Sequence, residues 1–285
     1  MIKLRILGCS GGIGGNFRTT SMLLDHDVLI DAGTGVGDLS VAELCLIDHV
    51  FVTHSHLDHV ACIPLMVDSV GCMRDKPLTV HATEATLEIL KQHMFNWKLW
   101  PDFSQIPDAR QPYMRYQAIQ LGQTVELQKP GLRTEDSGLN PQTPVLSTQS
   151  SVLSPQSSVR RITALPANHV VPAVGFQIDS GAASLVFSGD TTSNDALWEV
   201  VNRIANLRYL IIETAFSNSE RELARLSKHL CPSMLAEELR KLRGNPEIYI
   251  THLKPGEVEL TMQEIAECVQ GFAPTMLHNG QVFEF

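Results

Sequence analysis

Apolar residues in this chain fall into short dense runs separated by turn-forming residues. IKLRIL, SMLL, DVLID, HVFVT, LTVHA, VRRITAL, VGFQI, SLVFS, RYLIIE and EIYIT are four to seven residues long. Their length and their content of Val, Ile and aromatic residues predict strands. Stretches with helical spacing lie between many of them. Thr86–Leu90 opens one. Ala196–Ile204 sets Leu197, Val200, Val201 and Ile204 on one stripe, and Met234–Leu242 places Leu235, Leu239 and Leu242 at i, i+4 and i+7. In that last stretch Glu237 stands four residues before Lys241, the favourable order for a helical ion pair. The early strands follow one another closely, whereas the later ones alternate with helices. That order predicts an α/β protein, an αββα sandwich of two mixed sheets packed face to face with helices outside.

One segment breaks the pattern. From Pro130 to Ser158 the chain is rich in Pro, Ser, Gln and Thr and poor in large apolar residues. Such a composition cannot offset its own ordering entropy, which predicts a flexible surface insertion in a single domain spanning residues 1–285. With 285 residues, 44% of them hydrophobic, the rest has ample material for a core. A net charge of −9 argues against long nucleic acid as the main partner, since that binding rests on clustered Lys and Arg. The N-terminus enters a strand-like run at once and reads as no signal peptide, and no apolar run is long enough to span a membrane. Six scattered cysteines without a CxxC pair suggest reduced thiols and a cytoplasmic protein. A homodimer stays open.

The densest chemistry lies in FVTHSHLDHV, residues 51–60, where His54, His56, Asp58 and His59 form HxHxDH. In an extended loop His54 and His56 point the same way, while Asp58 and His59 lie beyond the bend and face a second position. Nitrogen and carboxylate donors without thiolates suit Zn²⁺, with Mn²⁺ or Fe as alternatives. A repeating grammar supplies further donors: a β-run, a few small or polar residues, then a ligand type. FVT precedes His54, ITALPAN precedes His169, SLVFSG precedes Asp190 and EIYIT precedes His252. Alone, each has an ordinary alternative, such as a turn carboxylate or a surface imidazole. Together they place strand ends on one edge and supply seven donors, enough for two divalent ions. His54, His56 and His169 are assigned to one ion, and Asp58, His59 and His252 to the other. Asp190 is the bridge, its two oxygens spanning cations about 3.5–4 Å apart.

HxHxDH with a later His, a GD and a final His resembles the metallo-β-lactamase superfamily. Longer blocks narrow the resemblance. THSHLDHVACIPLMVDS, FNWKLWPDFS, VFSGDT, IIETAFSN, LSKHLCPSMLAEEL and YITHLKP look like successive blocks of the class II 3′,5′-cyclic-nucleotide phosphodiesterases. Cys62 stands where that family's signature has Gly or Ser, and SGDTTSND lacks a Gly-Pro after GDT; neither change removes a donor.

The resemblance implies a metallo-β-lactamase-like fold and hydrolysis of cAMP or cGMP to the 5′-monophosphate by a dimetal-bound hydroxide. Paired divalent ions lower the pKa of a shared water toward about 7. Asp58 would orient the nucleophile as well as ligate. His229, in SKHLCP, follows no strand, and by residue chemistry a helix-end surface histidine is as good a reading as a catalytic one. By resemblance to tRNA 3′-endonucleases it is the proton donor to the leaving oxygen, with Glu213 as the acidic residue that holds it. Asp31 is expected to brace the ligand loop from behind. The glycines of GCSGGIGG read as a tight loop rather than a phosphate cradle. Phe95 and Trp97, in HMFNWKLWPDF, are expected to close the core rather than stack on a purine. His26, His49, His81 and His278 match no motif.

The rival hydrolase readings on the same fold are a tRNA 3′-endonuclease, a thioester hydrolase and a lactonase. The endonuclease needs a basic arm, and the 130–158 insertion offers only Arg133 as a positive charge. A metal-binding regulatory module without catalysis is the rival from another class.

Overall fold

The computed structural model describes residues 1–129 and 159–285, so the Pro130–Ser158 insertion lies outside the described residues. Two seven-stranded sheets face each other. The first contains β1 (Lys3–Gly8), β2 (Ser21–Leu24), β3 (Val28–Ala32), β4 (His49–Phe51), β5 (Leu78–Ala82), β6 (Met114–Ala118) and the terminal β14 (Val282–Glu284), in the order 14-1-2-3-4-5-6. The second contains β7 (Thr124–Gln128), β8 (Val159–Pro166), β9 (Val174–Asp179), β10 (Ser184–Phe187), β11 (Leu207–Glu213), β12 (Glu247–Thr251) and β13 (Thr275–Met276), in the order 13-12-11-10-9-8-7. Strands β3 to β6 pair in parallel, as do β10 to β13. β8 runs antiparallel to β9, and β9 antiparallel to β10, so β8 points the same way as β10. The carboxyl ends of β8, β10, β11 and β12 therefore share one edge.

Each of the ten apolar runs lies on a strand. Consecutive residues serve different layers, as the period of a strand demands. On β3, Val28 and Ile30 enter the cluster between the sheets, while Leu29 packs outward under the helices. On β11, Tyr209 and Ile211 face the other sheet, and Leu210 and Ile212 face outward. Both sheets are thus covered on both faces.

The helices are α1 (Val41–Leu46), α2 (Leu57–Val60), α3 (Cys62–Val70), α4 (Glu84–His93), α5 (Asp195–Val201), α6 (Arg221–Ser227), α7 (Pro232–Leu239) and α8 (Val258–Cys268). Ser40 and Glu43 form a reciprocal capping box on α1, Thr83 caps α4 and Asn194 caps α5. Two helices stop earlier than their apolar spacing suggests. α5 ends at Val201, and Ile204 sits in the turn that follows. α7 ends at Leu239, which separates Lys241 from Glu237. Lys241 Nζ instead meets Glu238 at 2.7 Å and Asp195 at 2.6 Å, and Glu237 pairs with Arg221.

Phe95 is buried as expected, and Phe103 with it, but Trp97 is 59% exposed. A left-handed backbone conformation at Trp97 (φ 63°) and the turn closed by its N–H on Trp100 O send the indole outward. Met114, at the start of β6, donates its N–H to Phe103 O, which puts this segment at the strand edge away from the histidine-rich loop.

β4 delivers that loop, and a buried imidazole backs it. His81 of β5 lies opposite Phe51, stacked on its ring at 4.3 Å, with His49 Nδ1 3.0 Å from His81 Nε2. Burial, and then the neighbouring His49, push the His81 pKa down from 6.5 to about 4. The unfolded chain takes this proton near pH 6.5 and the folded chain only near 4, so the stability of the neutral form is lost as pH falls through that window. At about 1.4 kcal/mol per pH unit the loss approaches about 3 kcal/mol. The gap in unfolding free energy between wild type and His81→Gln, from urea melts, is expected to narrow by about that amount across the window. A gap independent of pH would contradict the assignment.

Candidate metal centre

All seven predicted donors meet at the shared strand edge. One set comprises His54, His56, His169 and Asp190; a second comprises Asp58, His59, His252 and Asp190; in each, the donor atoms lie within 4.8 Å of one another. Asp190 belongs to both. Its Oδ2 stands 3.6 Å from His54 Nε2 and 3.4 Å from His59 Nε2, and its Oδ1 stands 3.4 Å from His252 Nδ1. Asp58 Oδ2 lies 3.8 Å from His59 Nε2 and 3.7 Å from His252 Nε2.

The ring nitrogens turned into the pocket are fixed by what holds the other side of each ring. Asp31 is fully buried and accepts the Thr53 N–H at 2.7 Å, the Thr53 hydroxyl at 2.8 Å and His59 Nδ1 at 2.7 Å. A carboxylate only accepts, so His59 Nδ1 carries a proton and Nε2 is the nitrogen turned into the pocket. The Thr53 hydroxyl gives its hydrogen to Asp31 and therefore accepts from His54 Nδ1 at 3.0 Å, which leaves the His54 Nε2 lone pair inward. The Lys228 carbonyl accepts His169 Nδ1 at 3.1 Å, so His169 Nε2 faces His56 Nδ1 across 3.2 Å.

A cation fits this donor set. The buried atoms His54 Nε2, His59 Nε2 and His252 Nδ1 have no hydrogen-bond partner among the described residues. Buried polar nitrogens are rarely left that way, and three aimed at one shared carboxylate are the donor chemistry of a nitrogen–oxygen metal site. Burial pushes His54 well below the usual imidazole range, His169 to about 4 and His252 to about 3, so each offers a neutral lone pair at pH 7. Burial opposes charge on Asp190 too, but the imidazoles of His252, His59 and His54 hold its carboxyl well below the usual range. His59 moves upward despite burial because carboxylates, Asp190 and Asp31, face both of its nitrogens.

The backbone delivers these groups under strain. His252 has φ 66° and Asp31 φ 56°, and Asp190 follows Gly189 at φ 60°. A Cβ on Gly189 would sit 2.7 Å from Val174 O. A Cβ on Gly11 would sit 2.5 Å from His252 O and 2.9 Å from its ring. The glycine loop after β1 is therefore a packing surface for His252.

His229 and Glu213 adjoin the pocket. Glu213 is fully buried and accepts His229 Nδ1 at 2.7 Å, Thr191 N–H at 3.0 Å and Leu230 N–H at 3.2 Å. The His229 ring stacks on His252 at 5.1 Å and meets the His169 ring edge-on at 4.9 Å. Burial disfavours its charge, but the Glu213 carboxylate outweighs that and raises the His229 pKa. The sequence reading missed Thr53 and Lys228. Thr53 stood inside FVTHSH, where an adjacent hydroxyl is a legible second partner for an imidazole. Lys228 contributes mainly a backbone carbonyl, which side-chain identity does not announce.

A sandwich with helices on both outer faces and a His/Asp pocket at one strand edge defines the metallo-β-lactamase class of hydrolase folds. The chain belongs to the family described as the β-lactamase superfamily domain, whose model matches residues 26–270; that fold implies divalent metal ions. Three curated relatives match, one of them a ribonuclease Z of Halorubrum lacusprofundi that is 34% identical over 92 residues, 30% of this chain and 30% of its own length. A protein of Yersinia pestis named probable 3′,5′-cyclic-nucleotide phosphodiesterase is 26% identical over 231 residues, covering 73% of this chain and 57% of its own length. An Aliivibrio fischeri protein named 3′,5′-cyclic-nucleotide phosphodiesterase is 26% identical over 276 residues, covering 83% of this chain and 74% of its own. The chain thus spans just over half the length of the Yersinia relative. Unliganded yeast PDE1 shares the fold, with a TM-score of 0.72 at 16% identity over 99% of this chain and 98% of that one. No helix among the described residues is long and apolar enough to cross a membrane, and all six cysteines are free.

Asp31 sets the tautomers of two pocket histidines without facing the pocket itself. Asp31→Asn is expected to weaken divalent-metal affinity about 10–100-fold, the usual cost of losing such a brace. Metal titration by calorimetry checks this; wild-type affinity in the variant would contradict it.

Proposed function

We propose that the chain hydrolyses 3′,5′-cyclic nucleotides to 5′-monophosphates with two divalent cations, Zn²⁺ being the first candidate for its nitrogen-rich donor set. His54, His56 and His169 would hold one cation and Asp58, His59 and His252 the other, with Asp190 common to both donor sets. Cations bound there supply Lewis acidity to a phosphoryl oxygen and acidify water.

The observation that carries the reading is the His229–Glu213 pair against the pocket wall. Glu213 accepts a hydrogen bond from His229 Nδ1–H, which leaves Nε2 as the nitrogen from which the imidazolium gives a proton. A closed structural metal site has no use for such an acid. A phosphodiester has: when water adds at phosphorus and the P–O3′ bond breaks, the leaving oxygen needs a hydrogen, and His229 provides it. Asp58 keeps 27% of its side chain open, against 3% for Asp190 and none for Glu213, and it orients the attacking water. The names of the Yersinia and Aliivibrio relatives support cyclic nucleotides as the substrate class.

Protein with its metals quantified is expected to turn over cyclic AMP, cyclic GMP or both, with the 5′-monophosphate as product. Cleavage of bis-p-nitrophenyl phosphate but of neither cyclic nucleotide would reject the substrate. His229→Ala is expected to lower kcat about 10²–10⁴-fold while metal content stays at the wild-type level. Normal turnover in that variant would remove His229 from the chemistry.

A further inference from the structure

The block YITHLKP places a lysine two residues after a metal donor. Lys254 is half-buried. Its Nζ donates to the main-chain carbonyl of Gly11 at 2.7 Å and lies 5.9 Å from the centre of the Phe216 ring. Among the described residues it forms no ion pair, so the ammonium serves a carbonyl and a ring face. From this geometry we infer that Lys254 is a positioning residue: it clamps the glycine loop against His252 and so sets the donor group of Asp58, His59 and His252. The inference rests on the two-cation reading above and not on the identity of the substrate.

Gly11 marks where the clamp acts. A Cβ there would lie 2.9 Å from His252 Cδ2 and 3.1 Å from Nε2, so Gly11 lies against the ring edge that carries Nε2. That nitrogen stands 3.7 Å from Asp58 Oδ2. The glycine loop thus walls one donor set, whereas His54, His56 and His169 of the other come from different loops.

His252 needs such support because its backbone is left-handed, a conformation that persists where neighbours over-determine it. The chain after β12 and the loop after β1 are stitched together around it. His252 N–H donates to Cys9 O at 2.8 Å, Gly11 N–H to Leu253 O at 3.0 Å and the Ser10 hydroxyl to Leu253 O at 3.2 Å. Lys254 supplies the one ionised donor in this series, and such a bond is about twice as strong as a neutral one. On the other flank Lys254 N–H donates to Ala215 O at 3.3 Å, and its ammonium is drawn to the face of Phe216. Phe216 in turn meets the His229 ring edge-on at 5.7 Å. The lysine is therefore anchored on both sides of His252, by the glycine loop and by the exit of β11.

The test titrates Zn²⁺-loaded protein with a chelator and measures the Zn²⁺ retained per chain. Lys254→Met keeps the apolar body of the side chain and removes the ammonium. In that variant one of the two ions is expected to be held about tenfold more weakly, the lower end of the cost of losing an outer partner of a metal ligand. The weakened ion is the one that His252→Ala releases, and the ion that His56→Ala releases keeps its wild-type affinity. Lys254→Arg returns a cationic donor to Gly11 O and is expected to hold both ions as wild type does. Wild-type retention of both ions in Lys254→Met, equal weakening of both, or a failure of that variant to fold overturns the inference. So does an arginine variant with the methionine variant's defect. A wild type that holds a single ion overturns the two-cation reading and the clamp with it. A wild type that holds two ions but cleaves no phosphodiester fails the functional reading alone, and the chelator titration still decides the role of Lys254.

Discussion

The arrangement of the strand ends turns on one buried carboxylate. Asp190 is 2% exposed and lies within 3.6 Å of imidazole nitrogens from His54, His59 and His252. Water is excluded there, so an ionised oxygen needs charge or hydrogens from its surroundings. His59 alone is driven toward its charged form, while burial keeps His54, His169 and His252 neutral. The inward lone pairs of His54 and His252 and the Asp190 oxygens are then acceptors facing one another. A divalent cation, which the fold implies, would satisfy both.

Holding such a pocket open to cations takes rigid supports. Asp31 sits in a left-handed conformation at the end of β3, His252 in another after β12, and Gly189 in a third after β10. Each deviation costs on the order of 1–3 kcal/mol for a residue with a side chain and persists where neighbours over-determine it. Thr53 locks Asp31 through two hydrogen bonds, and the Cα of Gly11 packs where a methyl group would collide with His252. The acid pair is held the same way, since Glu213 is saturated by one imidazole and two backbone N–H groups.

The sequence was most legible where one residue type has one physical meaning. Dense runs such as RYLIIE are buried on both faces and could be nothing but inner strands. The run-then-ligand spacing located His169, Asp190 and His252 because strands of one direction end together. Elements with weaker contrast escaped. β6 and β7 read MRYQA and TVELQ, edge strands with half their residues exposed and few large apolar groups. α3 carries Pro64 and two valines, poor helix formers whose cost is met by burying Ile63, Met66, Val67 and Val70. α8 buries Val258, Thr261 and Ile265, an i, i+3, i+7 stripe weakened by its threonine. Trp97 was misread because composition favours burying an indole, whereas a left-handed backbone and the local turn closed on Trp100 O send it outward.

The central claim is that a single carboxylate is shared by two cations. Anomalous scattering from crystals of the metal-loaded protein tests it directly. The account requires two peaks flanking Asp190, one among His54, His56 and His169 and the other among Asp58, His59 and His252. One peak, or metal bound away from Asp190, would contradict it.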